Sequence, residues 1–215
     1  MDVDAADVDA AINKLRALGL QPARIVIEPF ESSARDRTDF SCGETALDDY
    51  IKTRVSQDLR RGVTRCSVLV SEPGHSLAMG YYTLNAHTIA LNEMQPALAK
   101  KMRAYPILPA ILLGRLAVDN RFKGTGLGRL LLMHALRTCL ETSFHIGAMN
   151  VVVDALHDRA ATFYQGMGFE PIGVDPLRLH LPMATVAALF PRRSVTLRAL
   201  HHTASDPFAV AYDTE

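Results

Sequence analysis

The chain has 215 residues, 48% hydrophobic and 21% charged, with a formal net charge of zero. That is the make-up of one ordinary soluble domain with enough apolar material for a sizeable core, and it excludes a global field that would draw the chain to nucleic acid or a membrane surface. The three cysteines, Cys42, Cys66 and Cys139, lack metal-ligand spacing and their odd count gives no disulfide framework, a usage that fits a reducing cytoplasm. No apolar run approaches the length of a membrane span, and the acidic opening Met1-Asp-Val-Asp-Ala-Ala-Asp7 is unlike a signal peptide.

Residues 7–18 carry Val8, Ala11, Ile12, Leu15 and Leu18 at helical spacing, and Gly19 stops the run. Ile25, Val26 and Ile27 make a short strand, and 32–38 is a polar loop. Phe40-Ser-Cys-Gly-Glu-Thr-Ala-Leu-Asp-Asp-Tyr50 then opens a helix that runs to about Arg60 on a stripe of Leu47, Tyr50, Ile51, Val55 and Leu59. A strand follows at 66–71, turn chemistry at Pro73-Gly74-His75, and one long strand at 77–91. Asn92 is placed to cap a helix over 93–103, and Pro106 and Pro109 precede a central strand at 110–118. After a glycine-rich turn comes a strongly apolar helix. Leu127, Leu131, Ala135 and Cys139 share one i,i+4 row; Leu132, Leu136 and Leu140 share the next. Val151, Val152 and Val153 form a buried β-branched strand. Residues 158–167 make a short helix ended by Gly168, 169–172 and 177–181 are closing strands, and 184–189 is a last turn of helix. Beyond Pro191 the pattern fades. Periodicity alone gives α/β or α+β.

The glycine-rich turn carries the chemistry. Gly124, Gly126 and Gly128 sit between the central strand and the apolar helix. Such a turn bares backbone N–H groups at a helix N-terminus, where the dipole adds positive potential, so it suits a phosphate-bearing ligand; a tight connection is the alternative. The spacing excludes a P-loop, because Gly128 is followed by Arg129-Leu130, and excludes the Gly-x-Gly-x-x-Gly of dinucleotide folds.

Other groups are less specific. His75, His87, His134, His145, His157 and His180 are bases by residue type, and none is marked out by spacing. Glu44, Asp48 and Asp49 lie at a helix start, where carboxylates favour the dipole. Lys52, Arg54, Arg60, Arg61 and Arg65 form one basic cluster, and Lys100, Lys101 and Arg103 another; each is either a solvated face or a contact for a phosphate backbone.

Leu116-Ala-Val118 followed by Lys123-Gly-Thr-Gly-Leu-Gly128 resembles motif A of the GNAT N-acetyltransferases, Gln/Arg-x-x-Gly-x-Gly/Ala, with Lys123 at the usual Gln/Arg position. Residues 158–171, Asp-Arg-Ala-Ala-Thr-Phe-Tyr-Gln-Gly-Met-Gly-Phe-Glu-Pro, resemble the family's Asn-x-x-Ala-x-x-Phe-Tyr-x-x-x-Gly-Phe segment, with Asp158 read in place of the Asn. The similarity covers about 24–190, which makes 24–190 the acetyltransferase domain, 1–23 an N-terminal extension with a short helix, and 191–215 a C-terminal tail. The resemblance implies an α/β (α+β) GNAT fold, a mixed sheet of about six to seven strands flanked by helices, with two splayed central parallel strands. It implies acetyl-CoA as co-substrate, its diphosphate on the turn formed by Lys123, Gly124, Thr125, Gly126, Leu127, Gly128 and Arg129. Its pantetheine arm would pair with backbone groups of Leu116, Ala117 and Val118, and Asp158 would assist. Tyr164 is implied as the general acid for the departing thiolate; Phe163 beside it is read as core. No metal is expected.

Phe40-Ser-Cys-Gly-Glu-Thr-Ala-Leu-Asp-Asp-Tyr-Ile51, Gly80-Tyr-Tyr-Thr-Leu84, Leu112-Leu-Gly-Arg-Leu-Ala-Val-Asp119 and Gly168-Phe-Glu-Pro171 resemble one GNAT branch, the toxins of toxin–antitoxin pairs. That resemblance implies acetylation of the α-amine of an aminoacyl-tRNA, a ribbon-helix-helix antitoxin as partner, a homodimer, and Arg54, Arg60, Arg61 and Arg65 as contacts to the tRNA backbone. Against the branch pattern stand the zero net charge and the extra residues at both ends. A GNAT enzyme for a small-molecule or protein amine, and a non-catalytic CoA-binding module, are the competing readings.

Overall fold

The structure, a computed structural model, describes residues 5–17, 25–31, 37–71, 77–94 and 96–190. The stop at Gly19, most of the loop after Glu31, the Pro73-Gly74-His75 turn and the tail beyond Phe190 lie outside them.

The strands β1 (Val26–Pro29), β2 (Arg65–Val70), β3 (Gly80–Ala90), β4 (Ile107–Val118), β5 (Asn150–Asp154), β6 (Glu170–Ile172) and β7 (Asp175–Pro182) form one seven-stranded sheet in the order β1-β2-β3-β4-β5-β7-β6. Every neighbouring pair is antiparallel except β4 and β5. This is the mixed sheet with a central parallel pair that the sequence implies. Val151 and Val153 enter one core cluster and Val152 another, so β5 is apolar on both faces because both faces are covered.

One face carries the larger core. Helix α5 (Leu127–Ser143) buries both of its predicted i,i+4 rows against β3 and β4. Helices α6 (Asp158–Gln165) and α7 (Met183–Leu189) add Ala161, Tyr164, Met183 and Val186 to the same cluster. The N-terminal helix α1 (Ala5–Ala17) also joins it: Ala11 is 1% exposed and Leu15 fully buried.

On the other face lies the helix expected after Phe40, but not as one uniform helix. It consists of α2 (Thr45–Asp49), a π-helical turn (Tyr50–Arg54) and α3 (Val55–Arg60). The wider turn keeps Tyr50, Ile51 and Val55 all facing the sheet, where each is buried. The helix expected over 93–103 is shorter, with a 3₁₀ turn at Leu91–Glu93 before α4 (Pro96–Lys101). Pro96 is the first helical residue, where its fixed φ is tolerated and its missing N–H costs nothing, so Asn92, inside the 3₁₀ turn, is not the N-cap of α4. Helix α6 ends at Gln165, two residues before the expected end, and Gly168 closes the turn that follows. Gly168 takes φ +91, its N–H donates to Gln165 O, and Phe169 N donates to Tyr164 O, a Schellman closure. Among the described residues no helix is long and apolar enough to cross a membrane.

Removing the anchor of α1 tests whether the N-terminal extension is part of the fold. Leu15→Ala is expected to lower the unfolding free energy by about 2–4 kcal/mol, read from the denaturant midpoint; a loss under about 0.5 kcal/mol would mean the helix is not packed there.

Candidate active site

The cleft forms where β4 and β5 part. They pair in parallel only at Ala110–Asn150, Ile111–Val151 and Leu112–Val152. Beyond Leu112, β4 continues to Val118 alongside β3 only, while β5 continues alongside β7. A bulge helps to turn β4 away: Thr83 pairs with Arg115 and Leu84 with Leu113, so Gly114 is the extra residue. A Cβ at Gly114 would stand 3.0 Å from Asn85 Oδ1 and 3.2 Å from Thr83 Oγ1, tight enough to favour glycine. The resulting cleft has a volume of about 350 Å³ and is lined by Leu113–Val118, Lys123 and Gly124 on one side and by residues 154–157, Arg159, Ala160, Phe163 and Tyr164 on the other, with Cys42, Glu44 and Leu47 across its face.

The glycine turn has the geometry a bound anion needs. Gly124 and Gly126 have φ of +77 and +92, values that L side chains rarely adopt, and no atom lies within 4 Å of where their Cβ would be. Gly126 is the N-cap of α5 and has no side chain to satisfy the first amides of that helix. Thr125, buried, turns its hydroxyl inward to Phe122 O at 2.6 Å. The turn is held from behind by Asp119, which accepts from Arg121 N (2.9 Å), Arg121 Nε (2.8 Å), Arg121 Nη2 (2.9 Å) and Ser41 N (3.1 Å). Burial raises the Asp119 carboxyl, but these hydrogen bonds outweigh it and hold the group below the ordinary carboxylate value. Lys123 does not extend along the turn; its Nζ donates to Cys42 O at 2.6 Å.

Tyr164 lines the cleft and is only 8% exposed. Its ring packs edge-on against Phe163 and Phe169, with centroids at 5.2 and 5.5 Å. Burial pushes its phenol pKa well up, so the group is a proton donor throughout the neutral range. Cys42 is the thiol in the cleft, and burial with a hydrogen bond to Asp48 pushes it up to about 12, which leaves no thiolate to act as an acyl-accepting nucleophile near pH 7.

The structure separates some of the predicted residues. Leu116, Ala117, Val118, Lys123, Gly124 and Tyr164 come together around the cleft. Thr125, Gly126, Leu127, Gly128 and Arg129 continue the turn into α5. Asp158 is the first residue of α6, is exposed and does not line the cleft. His157 does. Counting back from Phe163-Tyr164, the Asn of the family segment falls on 157 and not 158, and His157 is the N-cap: its Nδ1 accepts from Ala160 N at 3.1 Å. Its Nε2 faces Glu44 Oε1 at 3.2 Å. With Nδ1 accepting, the neutral ring carries its proton on Nε2 and donates to Glu44, so His157 is occupied on both nitrogens and is no free base. Of the other histidines, His87 meets Arg178 Nη2, His134 meets the Tyr82 hydroxyl, and His180 meets Asn150 Oδ1. None of these lines the cleft, nor does His145, and His75 lies outside the described residues. Asp48 is structural, accepting from Cys42 N at 2.7 Å.

Arg54, Arg60, Arg61 and Arg65 are exposed along the π-turn, α3 and the start of β2, outside the cleft. Two arginines that the sequence reading passed over, Arg115 and Arg159, line it. The Arg115 guanidinium lies 3.5 Å from the centroid of the Tyr50 ring, a cation–π contact. One signal for it was present: a lone charge inside the otherwise apolar strand Ile111-Leu-Leu-Gly-Arg-Leu-Ala-Val118.

Residues 86–171 match the family model of the acetyltransferase (GNAT) domain. The tRNA-acetylating toxin of Mycobacterium tuberculosis is 38% identical over 158 residues, which are 74% of this chain and 92% of that protein. The probable toxin TacT of Sinorhizobium fredii is 27% identical over 174 residues, 78% of this chain and 96% of that protein. Among solved structures, a tyrosine-to-phenylalanine mutant of KacT has a TM-score of 0.73 at 30% identity, and AtaT complexed with acetyl-methionyl-tRNAfMet has 0.72 at 29%; each match covers 78% of this chain and 99% of the other. The chain belongs to the GNAT acetyltransferase family. Within that family, one of these similar proteins is named a tRNA-acetylating toxin and the other a probable toxin.

Since the space beyond Gly126 is open, a methyl group there would disturb the backbone and the anion rather than the core. Gly126→Ala is expected to raise the KM for acetyl-CoA about tenfold, while the melting temperature falls by only about 2–4 °C; an unchanged KM would remove the turn from co-substrate binding.

Proposed function

We propose that this protein transfers the acetyl group of acetyl-CoA to the α-amine of an aminoacyl-tRNA and is the toxin of a toxin–antitoxin pair. The observation that carries the reading is the placement of the buried Tyr164 phenol in the same cleft that the open glycine turn borders. Its support among relatives is the 38% identity to a tRNA-acetylating toxin and the similarity to AtaT, which has been solved with acetyl-methionyl-tRNAfMet, with acetyl-CoA and with the C-terminus of the antitoxin AtaR.

The turn amides from Lys123 to Arg129 hold the diphosphate, and the free edge of β4 at Leu116, Ala117 and Val118 pairs with the pantetheine amides as an added strand. The amine attacks the thioester carbonyl carbon, the C–S bond breaks, and Tyr164 gives its proton to the sulfur; the phenolate recovers a proton from solvent, which also takes the proton lost by the amine. An amine next to an ester is less basic than a lysine side chain, so a neutral fraction is present without a strong protein base. That agrees with a cleft whose one histidine is occupied. Arg54, Arg60, Arg61 and Arg65 hold the tRNA backbone from the outer side of the π-turn and α3, with Arg115 as a cation inside the cleft. The antitoxin is a ribbon-helix-helix protein, the toxin is a homodimer, and the reaction takes place in the cytoplasm, where both substrates are found.

Purified protein given labelled acetyl-CoA and a mixture of charged tRNAs is expected to label the RNA fraction. Label confined to small amines would instead support the reading in which the acceptor is a free amine, to which the zero net charge also points. Tyr164→Phe is expected to lower kcat by about 100-fold or more with acetyl-CoA affinity nearly unchanged. A phenol whose pKa is raised loses its proton only at strongly alkaline pH, so the wild-type rate is expected to show no falling limb between about pH 7 and 9; a fall there that Tyr164→Phe abolishes would contradict the burial argument.

A further inference from the structure

The N-terminal helix reaches the diphosphate cradle. Helix α1 precedes the first strand of the sheet. Ala11 and Leu15 anchor it in the main core. That anchorage leaves Lys14 exposed, and its Nζ donates to Gly124 O at 3.4 Å. Gly124 is one of the two residues that give the turn its left-handed backbone.

Arg129, at the far end of the turn, has its Nη1 3.7 Å from Met167 Sδ, and the two cations next to Gly124 on its N-terminal side are directed elsewhere. Lys123, at the position where the family places Gln or Arg, is folded back to Cys42 O at 2.6 Å. Arg121 is engaged by Asp119 at 2.8 and 2.9 Å. A dianionic diphosphate on amides alone would lack a charged partner at this end, and charge-assisted hydrogen bonds are the stronger kind. An ammonium has more donors than one carbonyl can accept, so Lys14 can keep Gly124 and still contact a phosphate oxygen beside it.

We propose that Lys14 is a co-substrate-binding residue: the appended helix carries its cation to the edge of the glycine turn, where it fixes Gly124 and contacts the diphosphate of acetyl-CoA. The proposal rests on the reading of that turn as a diphosphate cradle. It gives the N-terminal extension a role in the reaction, and it explains how the turn functions with the lysine at 123 turned away.

The test is calorimetric titration with acetyl-CoA and with acetyl-dephospho-CoA, which keeps the diphosphate and lacks the 3′-phosphate. Lys14→Met is expected to weaken both ligands about fivefold at roughly 50 mM salt, and less at roughly 0.5 M. Lys14→Arg should recover most of the loss. Because Lys14 is exposed and the helix is anchored by Ala11 and Leu15, the melting temperature of Lys14→Met should stay close to wild type. Equal affinities in wild type and Lys14→Met overturn the proposal. So does a loss seen with acetyl-CoA but absent with acetyl-dephospho-CoA, which would assign the cation to the 3′-phosphate, and so does a melting drop as large as that of Leu15→Ala, which would make the lysine structural. A wild-type protein that binds neither ligand would sink the cradle itself, a result distinct from any of these.

Discussion

β4 and β5 lie side by side for three residue pairs and then separate, and the rest of the site depends on that separation. Backbone groups along a strand need partners, and an edge left open in the middle of a sheet attracts another extended chain. Here the open edge runs from Leu113 to Val118 and ends at the glycine turn. The extra residue at Gly114 bends the strand, and a side chain there would crowd Asn85 and Thr83. An extended arm bearing amides, with an anion at one end and a thioester at the other, matches such an edge.

Residues 40–44 link the two walls of the cleft. Ser41 N donates to Asp119 and Ser41 O accepts from Asn120 N at 2.7 Å, which joins the segment to the turn. Lys123 Nζ reaches Cys42 O. From the same segment Glu44 reaches across to His157 at the start of α6. The segment also leads into α2, where Leu47 O accepts from the Tyr81 hydroxyl at 2.8 Å and Tyr50 stacks beneath Arg115. The glycine turn, the start of α6 and helix α2 are therefore one connected unit.

Much of this was legible in local sequence. Gly124 and Gly126 could be read because positive φ with open space beyond it admits little else, and the rows of α5 because burial on one face imposes i,i+4 spacing. Phe163-Tyr164 stood out through a motif rather than through physics. What was not legible is tertiary. Glu44 and His157 are 113 positions apart, and only the closed fold makes them partners. Asp158 was read in place of the family's Asn, whereas counting back from Phe163-Tyr164 puts that position on His157, which the fold uses as the N-cap of α6. The π-turn at Tyr50–Arg54 interrupts the helical stripe that the apolar spacing predicts, and it buries Tyr50 and Ile51. The helix expected after Asn92 was shortened by Pro96, whose preference for the first helical position outweighed the weaker capping signal.

The central claim is that acetyl-CoA lies along the open edge of β4 with its diphosphate on the glycine turn. Amide hydrogen exchange, with and without acetyl-CoA, tests it at the level of single backbone groups. Strong added protection should appear in 113–118 and 123–129, with little change in β1 and β2. Saturating acetyl-CoA that leaves both segments exchanging at their free rates, or that protects a different surface, would contradict the account.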